Sequence, residues 1–132
     1  MRASRFVRGF GVLAAAVLAA AFAFAAEPVA APVTQEALVE RQQQADADLV
    51  VLDVRSPDEF AAGHVPGAIN IPHERIAERL AEVPRDKDVI LYCQSGRRAG
   101  IAAQALAEQG YTRLFHLEGD IAAWKANGRP LE

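Results

Sequence analysis

Three short, almost wholly apolar runs separated by helix-like segments constrain this chain more than any other feature. Leu49 to Val54, Val89-Ile90-Leu91-Tyr92 and Leu114-Phe115-His116 have strand length and read as strands buried inside a sheet. Helix signals surround them. Thr34 is suited to cap a helix over Gln35 to Gln44, where Ala37, Leu38 and Arg41 fall at helical spacing. Ser56-Pro57-Asp58-Glu59 has a cap serine, a proline at the first helical position and a glutamate three after the cap, so it predicts a short helix ending at Gly63. Pro72 opens a predicted helix through Leu80 with Ile76, Ala77 and Leu80 on its apolar face. Another runs from about Ala99 to Gln109 and is closed by Gly110, with Ile101, Ala102, Ala105 and Leu106 as its packing stripe. Asp120 is expected to cap the last helix, which carries Ile121 and Trp124 into the core and ends near Asn127-Gly128. His64-Val65-Pro66-Gly67 reads as a turn, Ala68 to Ile71 as a brief strand and Pro84 to Asp88 as a polar connection. Apolar strands alternating with helices predict an α/β domain with a mainly parallel central sheet flanked by helices.

The N-terminus has a different character. Arg2, Arg5 and Arg8 precede any acid, and Gly9 to Ala26 is an alanine-rich apolar run ending in the small-x-small tripeptide Ala23-Phe24-Ala25. A basic start, a short apolar core and a small-residue exit predict a cleaved secretory signal peptide over residues 1–25. The alternative is a retained anchor, but the run only reaches the lower limit for spanning a bilayer, about 17 residues, and alanine is weakly apolar. The arginines are not adjacent, and no cysteine stands near the cleavage site to take a lipid. Residues 26–33, rich in proline and alanine, read as a linker, which leaves residues 34–132 as one domain. Export places that domain in the periplasm of a Gram-negative cell and outside the cell otherwise.

The whole chain of 132 residues carries a net charge of −3, and cleavage would remove arginines but no acids. An acidic domain has no general attraction for nucleic acid or for an anionic membrane once the leader is gone. An anionic substrate must then be drawn by a local cationic site. Exported proteins commonly use cysteines in pairs, yet this chain has a single cysteine, Cys93. It is either a small buried apolar residue or a reactive thiol.

The setting of Cys93 favours the thiol. It follows a predicted parallel strand, and ligands of such sheets bind beyond the strands' carboxyl ends. The run Cys93-Gln94-Ser95-Gly96-Arg97-Arg98 leads at once into a helix, so the loop lies over unpaired N–H groups and the positive end of the helix dipole. Arg97 and Arg98 add positive charge, and Gly96 allows the tight turn that lets successive N–H groups converge. All of these favour a sulfur anion. His73 and His116 have no metal-ligand spacing with Cys93 or with each other, so no metal site is expected, and thiol chemistry calls for no cofactor. Asp53 and Arg55, at the end of the first predicted strand, are expected to tie strand ends and turns together.

These motifs resemble those of the rhodanese family. Leu52-Asp53-Val54-Arg55-Ser56-Pro57-Asp58-Glu59-Phe60, followed by Gly63-His64-Val65-Pro66-Gly67-Ala68-Ile69-Asn70-Ile71-Pro72, is similar to the family's N-terminal signature. Cys93 to Arg98 resembles its active loop, and His116-Leu117-Glu118-Gly119-Asp120-Ile121-Ala122-Ala123-Trp124 resembles its closing motif. The resemblance spans about Thr34 to Pro130. Asp120 departs from it, standing where the family often has a second glycine. The resemblance implies a three-layer domain and a single-domain sulfurtransferase. In it Cys93 carries the sulfur, while Gln94, Ser95, Gly96, Arg97 and Arg98 bind the substrate. The implied reaction is a two-step transfer of sulfane sulfur from an anionic donor such as thiosulfate to a thiophilic acceptor such as cyanide or a thiol, with a protein acceptor as a further option and a monomer as the working form. His64 is structural in this reading.

Two rivals remain. Cysteine phosphatases place arginine six positions after the cysteine, where this chain has Ala99, and often have histidine where it has Tyr92. The second rival is a noncatalytic rhodanese-like module, a sulfur carrier or binding domain serving a partner protein.

Overall fold

The computed structural model describes residues 9, 11, 12, 14–20 and 27–132. The expected cleavage site, Ala23-Phe24-Ala25, and much of the expected leader lie outside the described residues. Among those described, no helix is long and apolar enough to cross a membrane.

Five parallel strands form one sheet in the order β1-β5-β4-β2-β3, namely β1 (Ala31–Val33), β2 (Leu49–Asp53), β3 (Ile69–Asn70), β4 (Asp88–Tyr92) and β5 (Leu114–Leu117). Helices α1 (Gln35–Gln43), α2 (Pro57–Ala61), α3 (Arg97–Glu108) and α4 (Asp120–Ala126) connect them, together with two 3₁₀ segments at His73–Glu78 and Leu80–Glu82. This is the expected three-layer α/β architecture. The register of β2 against β4 pairs Leu49 with Asp88 and Asp53 with Tyr92, so both strands end at the same level.

Side-chain alternation divides the core between the two faces. Val89 and Leu91 of β4 pack with Leu52, Ile76, Ala102 and Leu106 on the face of α3. Their neighbours Ile90 and Tyr92 pack with Val51, Leu38, Ile121 and Trp124 on the face of α1 and α4. Because both faces are covered, the central strands are apolar at successive positions and show no inside–outside alternation.

The starts of α1 and α2 follow their sequence signals. Thr34 Oγ1 accepts the Ala37 N–H at 3.1 Å. The Ser56/Glu59 capping box is complete, with Pro57 at the first helical position. Two expectations are corrected. The end of the segment read as a linker, Ala31–Val33, is an edge strand whose residues pair with Phe115, His116 and Leu117. An edge strand needs only backbone partners and tolerates Pro32, which lacks a donor, so composition hid it. The helix expected from Pro72 to Leu80 is two 3₁₀ turns, closed by i to i+3 bonds such as Arg79 N–H to the Ile76 carbonyl at 3.1 Å. Pro72 supplies no side-chain cap there.

A buried ionic knot closes the carboxyl ends of β2 and β4. Asp53 is fully buried and Arg55 is 2% exposed. The Arg55 guanidinium grips the carboxylate with Nε at 3.0 Å from Oδ1 and Nη2 at 2.6 Å from Oδ2. Nη2 also donates to the Gly63 carbonyl at 2.8 Å, which reaches across to the end of α2. The Tyr92 hydroxyl donates to Asp53 Oδ2 at 2.7 Å and accepts the Val65 N–H at 3.0 Å. Asn70 Nδ2 donates to the Asp53 and Arg55 carbonyls, bringing in β3. Burial would lower the basicity of Arg55, and the Asp53 carboxylate overrides it, so the guanidinium is held above its ordinary value. Burial, reinforced by the Asp53 charge, pushes the Tyr92 phenol well up, so it remains a donor at any physiological pH.

Removing Arg55 leaves the buried Asp53 charge unpaired, and removing the Tyr92 hydroxyl leaves it one hydrogen bond short. Arg55→Met should therefore cost about 3–5 kcal/mol in urea unfolding, and Tyr92→Phe about 1–3 kcal/mol. An Arg55→Met protein as stable as the parent would show that the knot contributes nothing.

Candidate active site

Cys93 is the first residue beyond β4, and its backbone is fixed by α4 before the side chain is considered. Its N–H donates to Asp120 Oδ1 at 2.9 Å. Its carbonyl accepts the Ile121 N–H at 3.1 Å, and the Gln94 carbonyl accepts the Ala122 N–H at 3.3 Å. The loop then turns at Gly96, whose φ of 114° suits glycine alone, and α3 begins at Arg97. A side chain at Gly96 would also meet Asp120 Oδ2 at 3.2 Å and His116 Cε1 at 3.4 Å.

The turn folds the loop back on its own sulfur. The Gly96 N–H donates to Cys93 Sγ at 2.9 Å. Among the described residues, the N–H groups of Gln94, Ser95, Arg97 and Arg98 find no acceptor in the chain. They are the unpaired donors that a helix start offers to an anion. Cys93 is 1% exposed, while Gln94, Ser95 and Arg97 are exposed around it. The sulfur is thus open only to small or deeply reaching reagents.

The two arginines differ. Arg98 makes a bidentate bond to Glu59, with Nη1 2.7 Å from Oε1 and Nη2 3.0 Å from Oε2. The Arg98 bond, with help from Ser56, holds the Glu59 carboxyl down to about 2. Arg98 therefore clamps the loop to α2. Arg97 is exposed and makes no ion pair among the described residues. Sequence reasoning read Glu59 only as a cap, and its second bond depends on where α2 meets α3.

Asp120 corrects a further expectation. It does not cap α4; Gly119 precedes it with φ 74°, and Asp120 is itself the first helical residue with φ 54°. The backbone here keeps a left-handed form that glycine would adopt freely and that aspartate tolerates. Its side chain turns to the loop and to His116, whose Nε2 lies 3.0 and 3.1 Å from the two carboxylate oxygens. The departure from the glycine pattern was visible in the sequence, but these contacts were not.

The other histidines stand apart from the loop. His64 stacks on Phe60 with ring centroids 3.6 Å apart, and its backbone pairs with that of Glu132. His73 pairs with Glu74. Among the described residues, no group of three or more His, Cys, Asp or Glu side chains is arranged to hold a metal. A groove of about 590 Å³ lies beside Leu49, Val50, Asp46 and Glu82 at the other end of β2. With acids and no cation in its lining, it does not suit an anionic donor. A smaller cavity of about 270 Å³ touches the loop at Gly96 and reaches His116, Ala99 and Pro28.

Comparison with known proteins agrees with this anatomy. Residues 34–127 match the Rhodanese-like domain family. A protein named sulfurtransferase from Allochromatium vinosum is 42% identical over 91 residues, covering 68% of this chain and 85% of the relative. The thiosulfate sulfurtransferase PspE of Escherichia coli is 43% identical over 81 residues, covering 58% of this chain and 78% of that protein. The crystal structure of a rhodanese-related protein from Thermoplasma volcanium superposes with a TM-score of 0.67 at 29% identity, covering 77% of this chain and 97% of the other. With both the β4–loop–α3 geometry and the matched span in agreement, the chain belongs to the rhodanese-like domain family, whose members here include named sulfurtransferases.

Proposed function

We propose that this protein transfers sulfane sulfur through a persulfide on Cys93. One observation supports the reading above the others: the only cysteine sulfur in the chain accepts the Gly96 N–H at 2.9 Å in a loop with further unpaired N–H groups and a free arginine. That is a cradle for a sulfur anion. In the first half-reaction the Cys93 thiolate attacks the outer sulfur of thiosulfate. The S–S bond of the donor breaks, its electron pair leaves with sulfite, and Cys93 becomes a persulfide. In the second, a thiophile such as cyanide or a thiol attacks the outer sulfur, the new S–S bond breaks, and the Cys93 thiolate returns. Only the donor and the acceptor are consumed, Cys93 is returned unchanged, and the scheme is ping-pong.

The arginines divide the work. Arg97, exposed and unpaired among the described residues, attracts the dianionic donor, whereas Arg98 is spent on Glu59 and keeps the loop in shape. Gln94, Ser95 and Gly96 contribute backbone donors. We place the protein, as a monomer freed of residues 1–25, in the periplasm, where a partner's thiol is a fitting acceptor.

Intact mass before and after thiosulfate tests the reading, beside a Cys93→Ser control. A gain of one sulfur atom that cyanide removes, absent in the control, is expected. No gain on folded, reduced protein would sink the thiosulfate reading and favour a noncatalytic binding module or a different donor. In steady state, Arg97→Ala should raise KM for thiosulfate roughly fivefold with an unchanged melting temperature; an unchanged KM would remove Arg97 from donor binding. Glu59 has a folded-state value lowered from 4.5 to about 2. Its bond to Arg98 therefore contributes stability above pH 4.5 that is lost as pH falls toward 2. The stability gap between the parent and Arg98→Gln should narrow over that range in pH-dependent melting, and a constant gap would contradict the pairing.

A further inference from the structure

A second charged pair lies directly against the loop, and the reaction scheme above does not use it. Asp120 is 2% exposed, so its carboxylate has almost no water to screen it. It bonds the peptide group of Cys93 and lies beside Gly96. Oδ1 takes the N–H of Cys93 itself at 2.9 Å. Oδ2 sits 3.2 Å from where a Cβ on Gly96 would lie, and Gly96 is the residue whose N–H reaches Sγ. A lone carboxylate there would oppose a thiolate or persulfide anion, since like charges in a poorly hydrated site disfavour each other. His116 stands on its other side, with Nε2 within 3.0 to 3.1 Å of both oxygens.

We propose that Asp120 and His116 act together as positioning residues for the sulfur site. Asp120 fixes the Cys93 end of the loop, and protonated His116 cancels the buried charge that would otherwise oppose the sulfur anion. This deepens the sulfurtransferase reading and rests on Cys93 being its reactive thiol. The arrangement explains why an acid can occupy a left-handed position beside an anion site. Its backbone cost, about 1–3 kcal/mol for such a conformation, is offset by the bonds its side chain makes.

The charged surroundings allow His116 this role. Glu118, next in the chain but one, is exposed and adds to the attraction for a proton. Arg98 is engaged by Glu59. Gln35 of α1 and the segment Pro28-Val29-Ala30 beside the loop carry no charge. The Asp120 bond, against the pull of burial, holds His116 above its ordinary value of 6.5. The ring is about one-third exposed, so it exchanges protons with water.

Alkylation of Cys93 by iodoacetamide in the full chain tests the pair without any sulfur donor. Its outcome is therefore separate from that of thiosulfate loading. The parent is compared with Asp120→Asn, which keeps an acceptor for the Cys93 N–H, and with His116→Gln, each first shown to be folded by its circular dichroism melt. At about pH 6, Asp120→Asn should react roughly threefold faster or more, and His116→Gln slower by a similar factor. At about pH 10, above the ordinary range of a free thiol and of an imidazole, the three rates should agree within about twofold. Opposite signs that vanish at high pH are a charge effect, which a loosened loop cannot imitate. Shifts in the same direction, shifts that persist at high pH, or no shift at all would overturn the proposal.

Discussion

The buried pairing of Asp53 with Arg55 is the interaction on which the functional end of this domain depends. Two charges removed from water are costly unless each finds several partners. Here those partners are Tyr92 at the end of β4, the Gly63 carbonyl after α2 and, through Asn70, the end of β3. The carboxyl ends of three strands and the exit of one helix are drawn to one point. Cys93 is the residue after Tyr92, so the knot fixes the platform from which the sulfur-bearing loop departs.

From that platform the loop is held at both ends by different chemistry. At its start, α4 supplies two backbone donors and the Asp120 carboxylate. At its finish, Arg98 is clamped to Glu59, which also caps α2. Between these anchors only Gly96 reaches the sulfur, leaving Arg97 as the projecting cation. A rigid frame around a few free donors suits an anion that must come and go, because the donors need no rearrangement when it binds. The charged groups behind the loop pair with one another, and Arg97 is exposed with no ion pair among the described residues.

Much of this was legible beforehand, and the reasons are local. A capping box declares itself within four residues, and the Ser56/Glu59 box formed as read. Central strands buried on both faces are apolar throughout, which is why β2, β4 and β5 stood out. Asp53 and Arg55 were read as ties between strand ends and turns, and they are. The failures came mostly from partners distant in the chain. β1 has three residues, one of them proline, and owes its existence to the backbone of β5 rather than to its own side chains. The 3₁₀ turns after Pro72 carry helical spacing, but i to i+3 bonding replaced the expected helix. Asp120 looked like an N-cap because aspartate favours that place, yet its side chain found stronger partners across the loop.

The sequence by itself determined the α/β architecture, the strand that ends at Cys93, the glycine that turns the loop and the family to which the chain belongs. Each is written in residues close together, where propensity, periodicity and motif spacing act directly. Only the tertiary structure decided that Arg98 is bound while Arg97 makes no ion pair among the described residues, that Tyr92 is part of an ionic knot, and that His116 and Asp120 stand behind the sulfur. The partners Glu59 and Arg98, like Asp120 and Cys93, are far apart in the chain. Which charges are neutralised depends on how helices and strand ends pack together, and spacing along one chain carries no record of that distance.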